Sequence, residues 1–240
     1  MKKILALFDC HVPFNIPLDL VWEFAQDFKP DVVILGGDIC EWGSVSHWVA
    51  DQSRHLDYGT LKQEYEAMKR TVLLPLSQVA PKAKKIFIPG NHERWIEQDC
   101  NRNPNLREFA ELHKNIKGWK ILAFNESYKA GSNLVYIHGL YTNKYHAHKT
   151  AEAFVGKSVR YGHVHTMQSF TNISPVDSKH FYQAQSIGCL CTLNPHFMEN
   201  QPNAWVNGFD YCYLNDDGTF HPFPIIIVKG KFWAEGRFYK

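Results

Sequence analysis

Apolar and polar positions follow two rhythms along the chain. In the first half, residues 4–8, 31–35 and 86–88 are short, dense apolar runs that read as buried strands. Between the first two, Leu20, Val21, Phe24, Ala25 and Phe28 recur at helical spacing, with Asn15 as the expected cap, Pro17 in the first turn and Pro30 as the stop. Leu61, Tyr65, Met68 and Val72 mark a second helix, which Thr60 and Gln63 can open with a reciprocal capping box and which Pro75 is expected to break or kink. A third helix is expected around 104–113. Strands separated by helices require right-handed crossovers and a mainly parallel sheet covered on both faces.

The second half is richer in strands. Residues 121–124, 134–137, 159–161, 181–186, 209–214 and 224–228 are candidates, and only 147–155, closed by Gly156, carries strong helical spacing. Asp217-Gly218 and Lys229-Gly230 mark the turns of a terminal meander. The pattern predicts an α/β fold in four layers, α-β-β-α, with two stacked mixed sheets flanked by helices. No linker, repeat or low-complexity stretch divides the sequence, so residues 1–240 are expected to form one domain.

Composition narrows the class of function. A net charge of +2 is too mild for the phosphate-tracking surface of a non-specific DNA binder. No apolar stretch approaches the roughly 18–20 residues of a membrane span, and Asp9 interrupts the few apolar residues after Met1-Lys2-Lys3, so a soluble, unexported protein is expected. Cysteines at 10, 40, 100, 189, 191 and 212 show no Cys-x-x-Cys pair, which favours reduced thiols in the cytoplasm over disulfides or structural zinc. The anomaly is histidine, of which there are 13.

Candidate chemistry gathers at the strand ends. The first three strands run into Asp9-Cys10-His11, Gly36-Gly37-Asp38 and Gly90-Asn91-His92-Glu93, and two later ones into His138-Gly139 and Gly162-His163-Val164-His165. Carboxyl ends of parallel strands are where open α/β sheets build their sites, so these clusters should share one pole. His163 and His165, two apart, would point to the same side of an extended strand. Lys82, Lys84 and Lys85 precede the third strand and belong at the opposite pole. Cys10 reads as buried packing, and Cys40 carries no assignment. Imidazole, carboxylate and amide ligands suit borderline divalent ions, with Mn²⁺ first and Fe²⁺, Zn²⁺ and Ni²⁺ as alternatives. Such side chains are too many here for one tetrahedral ion. They suit two ions about 3.5–4 Å apart that share a carboxylate, clamp the oxygens of a phosphoryl displacement and activate a bridging water.

The ordered set D-x-H, G-G-D, G-N-H-E, H-G and G-H-x-H, spread over residues 9 to 165, resembles the calcineurin-like metallophosphoesterase superfamily, in particular its phage and bacterial members. The resemblance implies that Asp9, His11 and His165 hold one metal, that Asn91, His138 and His163 hold the other, and that Asp38 bridges them. It implies that His92 protonates or stabilises the leaving oxygen, with Glu93 as an orienting partner. It also implies a pair of stacked sheets flanked by helices.

Departures from relatives bear on the substrate. Protein serine/threonine phosphatases of the superfamily carry an arginine four residues after the bridging aspartate, whereas this chain has Trp42. An insertion at about 39–60 carries His47, Trp48, Arg54 and His55, which could stack a nucleobase and hold a phosphate. Equally, Trp42, Val45, Trp48 and Val49 have the spacing of a packed turn. Tyr141 and Lys144 are further candidates for phosphate contact. The leading expectation is a dimetal phosphodiesterase acting on a nucleotide or nucleic acid. The alternatives are a small-molecule phosphomonoesterase and a non-catalytic scaffold.

Overall fold

The computed structural model describes residues 1–46, 59–174, 176, 181–195 and 198–240. Strands β1 (Lys2–Leu7), β2 (Val32–Leu35), β3 (Lys84–Phe87) and β4 (Lys120–Ile121) pair in parallel in that order. A second sheet follows, from β5 (Tyr128–Lys129), β6 (Leu134–Ile137), β7 (Ser158–Tyr161), β8 (Ser169–Ile173) and β9 (Phe181–Ser186), ordered β5-β6-β7-β9-β8 with parallel β6, β7 and β9 inside antiparallel edges. The chain then returns to the first sheet. Strand β10 (Gly208–Leu214) pairs antiparallel with β1, β11 (Phe220–Ile226) pairs with β10, and β12 (Phe232–Ala234) and β13 (Arg237–Tyr239) form a separate hairpin.

Strand alternation sorts the apolar side chains into layers. Ile4, Ala6, Ile34 and Ile86 of the first sheet pack with Leu134 and Tyr136 of the second, which makes the inter-sheet core. Leu5, Leu7, Val33 and Leu35 point the other way, onto Val21 and Phe24 of the helix Asp19–Phe28 and onto Tyr65 and Met68 of the helix Leu61–Met68. On the far face of the second sheet, Val135, Ile137 and Val159 pack against Ala151 of the helix His146–Ala153. The fold is therefore the expected four-layer sandwich of two mixed sheets with helices outside. Arg160 of β7 and Asp210 of β10 cross the inter-sheet layer as a fully buried ion pair, with Nη2 2.6 Å from Oδ1. Removing one partner of such a pair typically costs about 3–5 kcal/mol, because the other charge is stranded.

Several local expectations change. The first helix starts at Asp19 with no side-chain cap, and Asn15 instead donates its amide to Ile16 O while bridging to Cys191. Pro17 thus lies before the helix, whose end is set by left-handed Lys29 (φ 51°) ahead of Pro30. Thr60 and Gln63 do form the capping box. Pro75 does not end that helix: a π-helical stretch, Lys69–Leu73, precedes it, and Leu74–Val79 continues with Pro75 in its first turn, where a missing N–H costs little. The helix after β3 is Asn91–Arg102, earlier than expected, and only short turns of helix occupy 104–115.

Candidate metal centre

Register brings the strand ends together. Leu7, Leu35 and Phe87 are mutual partners at the ends of β1, β2 and β3, and Ile137 pairs with Tyr161 at the ends of β6 and β7. Backbone bonds continue past the strands, from Asp9 N–H to Gly37 O (3.1 Å), His11 N–H to Asp38 O (3.0 Å) and Gly162 N–H to His138 O (2.7 Å). Lys84 lies at the start of β3, away from these ends.

The route to convergence differs from the expected one. Strand β7 stops at Tyr161, and His163 and His165 adopt left-handed backbone, φ 72° and 57°, so a tight turn rather than an extended strand aims them. Asp9, His11 and Asp38 are left-handed too, at 51°, 49° and 47°. Non-glycine residues held there cost on the order of 1–3 kcal/mol each, a penalty that persists only where the surroundings over-determine it.

Asp38 sits in the middle. Its Oδ2 lies 3.9 Å from His11 Nε2, 3.3 Å from His138 Nε2 and 3.8 Å from His92 Nε2. On one side, His11 Nε2 is 3.1 Å from His165 Nε2, which is 3.6 Å from Asp9 Oδ1. On the other, His138 Nε2 is 3.0 Å from Asn91 Oδ1 and 3.2 Å from His163 Nδ1. The ligand atoms of Asp9, His11 and His165 all lie within 4.8 Å of one another, as do those of Asp38, His138 and His163.

These donors suit cations. His11 Nδ1 faces Glu41 Oε2 at 2.7 Å and His138 Nδ1 faces Gly36 O at 2.9 Å, so each ring's proton is drawn to that side and the Nε2 lone pair faces inward. There it meets other acceptors. Asp9 Oδ1 is buried without a hydrogen-bond partner among the described residues. The electrostatics agree: burial pushes the His138 imidazole down, but Asp38, Asp9 and the Gly36 carbonyl together more than offset this and lift it to about 10. Burial likewise raises Asp38, yet His138 and His92 hold its carboxyl well below the usual carboxylate range. The pocket is built to be neutralised by positive charge.

Neighbouring candidates fall into different places. His92 donates its Nδ1–H to Glu41 O (2.7 Å), with the Glu41 carboxylate 3.9 Å away, so its partner is Glu41 and not Glu93. Glu93 is fully buried and accepts from Gly90 N, Asp38 N, Ile39 N and Trp42 Nε1 at 2.8–3.1 Å, which ties the second and third strand-end loops together. Trp42 is itself fully buried, packed on Tyr65, and presents no face to a substrate. Its indole belongs to the core. Tyr141 and Lys144 lie in the loop after β6, Lys144 exposed with its ammonium over Tyr145. His47, Trp48, Arg54 and His55 lie outside the described residues. Cys10 and Cys40 are buried free thiols, the first pushed up by burial, the second donating to Val12 O at 3.2 Å.

Sequence reasoning missed Glu41, which touches both His11 and His92. The available signal was an acidic residue three positions after Asp38. It also missed Trp205, whose ring stands edge-on to His165 with centroids 4.3 Å apart. Nothing in the local sequence marks it.

Known proteins resemble the chain in sequence and in fold. Two curated relatives match over nearly their whole length: the Gene 54 protein of Mycobacterium phage D29, 24% identical with 98% of each chain covered, and that of Mycobacterium phage L5, 25% identical with the same coverage. Among solved structures, a double mutant of Vps29 from Entamoeba histolytica superposes with a TM-score of 0.50 at 13% identity, covering 99% of both chains, which is a likeness of fold. The family model described as calcineurin-like phosphoesterase matches residues 2–183, and the chain belongs to that family.

Proposed function

We propose that the protein hydrolyses phosphodiester bonds of a nucleotide or nucleic acid strand with two divalent ions, Mn²⁺ first. Membership of the family carries metal-dependent phosphoester hydrolysis in general. The observation that supports a twin site is the place of Asp38 Oδ2 between His11 Nε2 and His138 Nε2, with a separate donor group on either side. Asp9, His11 and His165 would hold one ion, Asn91, His138 and His163 the other, and Asp38 both. When bound, the ions supply Lewis acidity and an activated water.

The chain's own residues do the rest. Glu41 fixes the His11 ring and accepts a hydrogen bond from His92 Nδ1–H at its carbonyl, which leaves His92 Nε2 as the atom that faces Asp38 and can hand a proton to a leaving oxygen. A charged His92 has the Glu41 carboxylate as its counter-charge. Glu93 keeps the Asp38 backbone in its left-handed turn.

Preference for a diester rests on charge. A monoester dianion calls for more cationic grip than a diester, and position 42, buried tryptophan here, offers no guanidinium. We read the segment 39–60 as an insertion whose His47, Trp48 and Arg54 contact the substrate, and Tyr141 and Lys144 as further phosphate contacts. We further read residues 1–240 as one domain, since β10 and β11, beyond the family match, complete the first sheet, and place it in the cytoplasm, where six free thiols stay reduced. No helix among the described residues is long and apolar enough to cross a membrane. The test is Mn²⁺-dependent turnover of bis-p-nitrophenyl phosphate against p-nitrophenyl phosphate, followed by single-stranded DNA, duplex DNA, RNA and cyclic nucleotides. Preference for the monoester would replace the diester by a phosphomonoesterase, and inactivity on all would leave a scaffold.

A further inference from the structure

Two of the clustered histidines have an oxygen behind them: Glu41 Oε2 at His11 Nδ1 and Gly36 O at His138 Nδ1. His165 does not. Its Nε2 faces His11 and Asp9, while its Nδ1 faces the sulfur of Cys191 at 3.8 Å. Cys189 completes a second cluster, because its sulfur, that of Cys191 and a ring nitrogen of His165 lie within 4.8 Å of one another. A thiol is a weak acceptor, so a ring held only by sulfur is poorly oriented by it. The arrangement makes better sense as a ligand set.

We propose that Cys189, Cys191 and His165 Nδ1 form an additional cation site, selective for a thiophilic ion of the zinc or cadmium class. Thiolate ligands favour such ions over Mn²⁺ or Mg²⁺, whereas the oxygen- and imidazole-rich donors on the other face of His165 also accept harder divalent ions. Size agrees. Zinc–nitrogen and zinc–sulfur bonds of about 2.0–2.1 and 2.3 Å at a tetrahedral angle put nitrogen and sulfur about 3.6 Å apart, close to the separation found. The segment carrying the sulfurs is braced: Asn207 Nδ2 donates to Cys191 O (2.6 Å) and Cys189 O (3.3 Å), and Cys189 N–H donates to Val206 O (2.9 Å). All three ligand residues are buried, which favours ions that have shed their water.

Loading breaks two S–H bonds, forms two metal–sulfur bonds and one metal–nitrogen bond at His165 Nδ1, and sends both thiol protons to solvent. The imidazole then carries its own proton at Nε2, the nitrogen that faces Asp9 and His11. Occupancy of this site therefore withdraws a lone pair from the neighbouring centre, and the two ions compete through one ring.

The metal-free full-length chain titrated with Cd²⁺ is the test, read by thiolate-to-cadmium ultraviolet absorption and by cadmium NMR. One sulfur-bound ion per chain is expected, lost in Cys189→Ser/Cys191→Ser and kept in Cys100→Ser, with folding checked by circular dichroism. Should the double variant fail to fold, the NMR shift of the wild-type complex decides alone: a two-sulfur shift supports the site, and a nitrogen- and oxygen-only shift overturns it. Absence of the absorption band in the wild type, or its survival in a folded double variant, also overturns it. None of these readouts depends on turnover, so the phosphodiesterase reading can fail without affecting them.

Discussion

Asp9 and His163, 154 residues apart, are joined by one hydrogen bond: the His163 backbone N–H donates to Asp9 Oδ2 at 2.8 Å. That bond fixes one carboxylate oxygen and leaves Oδ1 bare, 3.6 Å from His165 Nε2 and 3.9 Å from His138 Nδ1. Gly162 makes it possible, since a Cβ there would stand 2.2 Å from Asp9 Oδ2. Gly162→Ala is therefore expected to displace the carboxylate and weaken divalent-ion binding by about 10–100-fold, the range typical of lost orienting contacts. Isothermal titration with Mn²⁺ checks this, and unchanged affinity would remove the Asp9 orientation from the account.

His92 reaches Asp38 and Glu41 and lies within 4.8 Å of the ligand atoms of His11 and Asp38, but it joins neither Asp9 and His165 nor His138 and His163 in their groups. Replacing it with alanine is expected to cut kcat by about 10²–10⁴, the usual contribution of a positioned proton donor, with metal content intact. Steady-state kinetics beside metal analysis of the same sample separates this from loss of ions. Unaltered turnover would take His92 out of the mechanism.

Trp42 separates a core role from a substrate role. Its indole N–H donates to Glu93 inside the fold, so Trp42→Phe strands one acceptor site of a buried carboxylate and should lower stability by roughly 1–3 kcal/mol. KM should stay put. Urea unfolding and Michaelis kinetics measure the two, and a raised KM with unchanged stability would restore Trp42 to the substrate surface.

Glu64 gives a pH dependence away from the metal centre. Burial raises its carboxyl to about 7 against the opposing pull of hydrogen bonds from Ser44. A carboxyl higher in the folded than in the unfolded chain keeps its stabilising proton below the unfolded pKa near 4.5 and loses that contribution as pH climbs to about 7. Glu64→Gln should accordingly match the wild type in unfolding free energy near pH 4.5 and exceed it at pH 8, by on the order of 1–3 kcal/mol, as urea unfolding at the two pH values measures. A constant gap across that interval would contradict the raised carboxyl.

How much of this was legible depends on what each residue advertises. Asp9, Asp38, Asn91 and His138 follow short apolar runs, and strand register alone carries them to one pole. The turn at His163 and His165 was not readable, because left-handed histidine has no compositional mark as glycine does. The helix Asn91–Arg102 hid because only Trp95, Ile96 and Cys100 give it an apolar side. Edge strand β8 hid because Ser169, Thr171 and Ile173 are exposed and Phe170 and Asn172 only half-buried, which leaves little hydrophobic signal. Glu41 is a solvated loop acid until tertiary structure sets it against His11, 30 residues away.

The central claim is a pair of cations held around Asp38, and equilibrium dialysis of the purified chain against excess Mn²⁺, followed by elemental analysis, tests it most directly. The account predicts two ions per chain in the wild type and fewer than two in Asp38→Ala. A wild-type protein that saturates at one ion, or binds none, would contradict it.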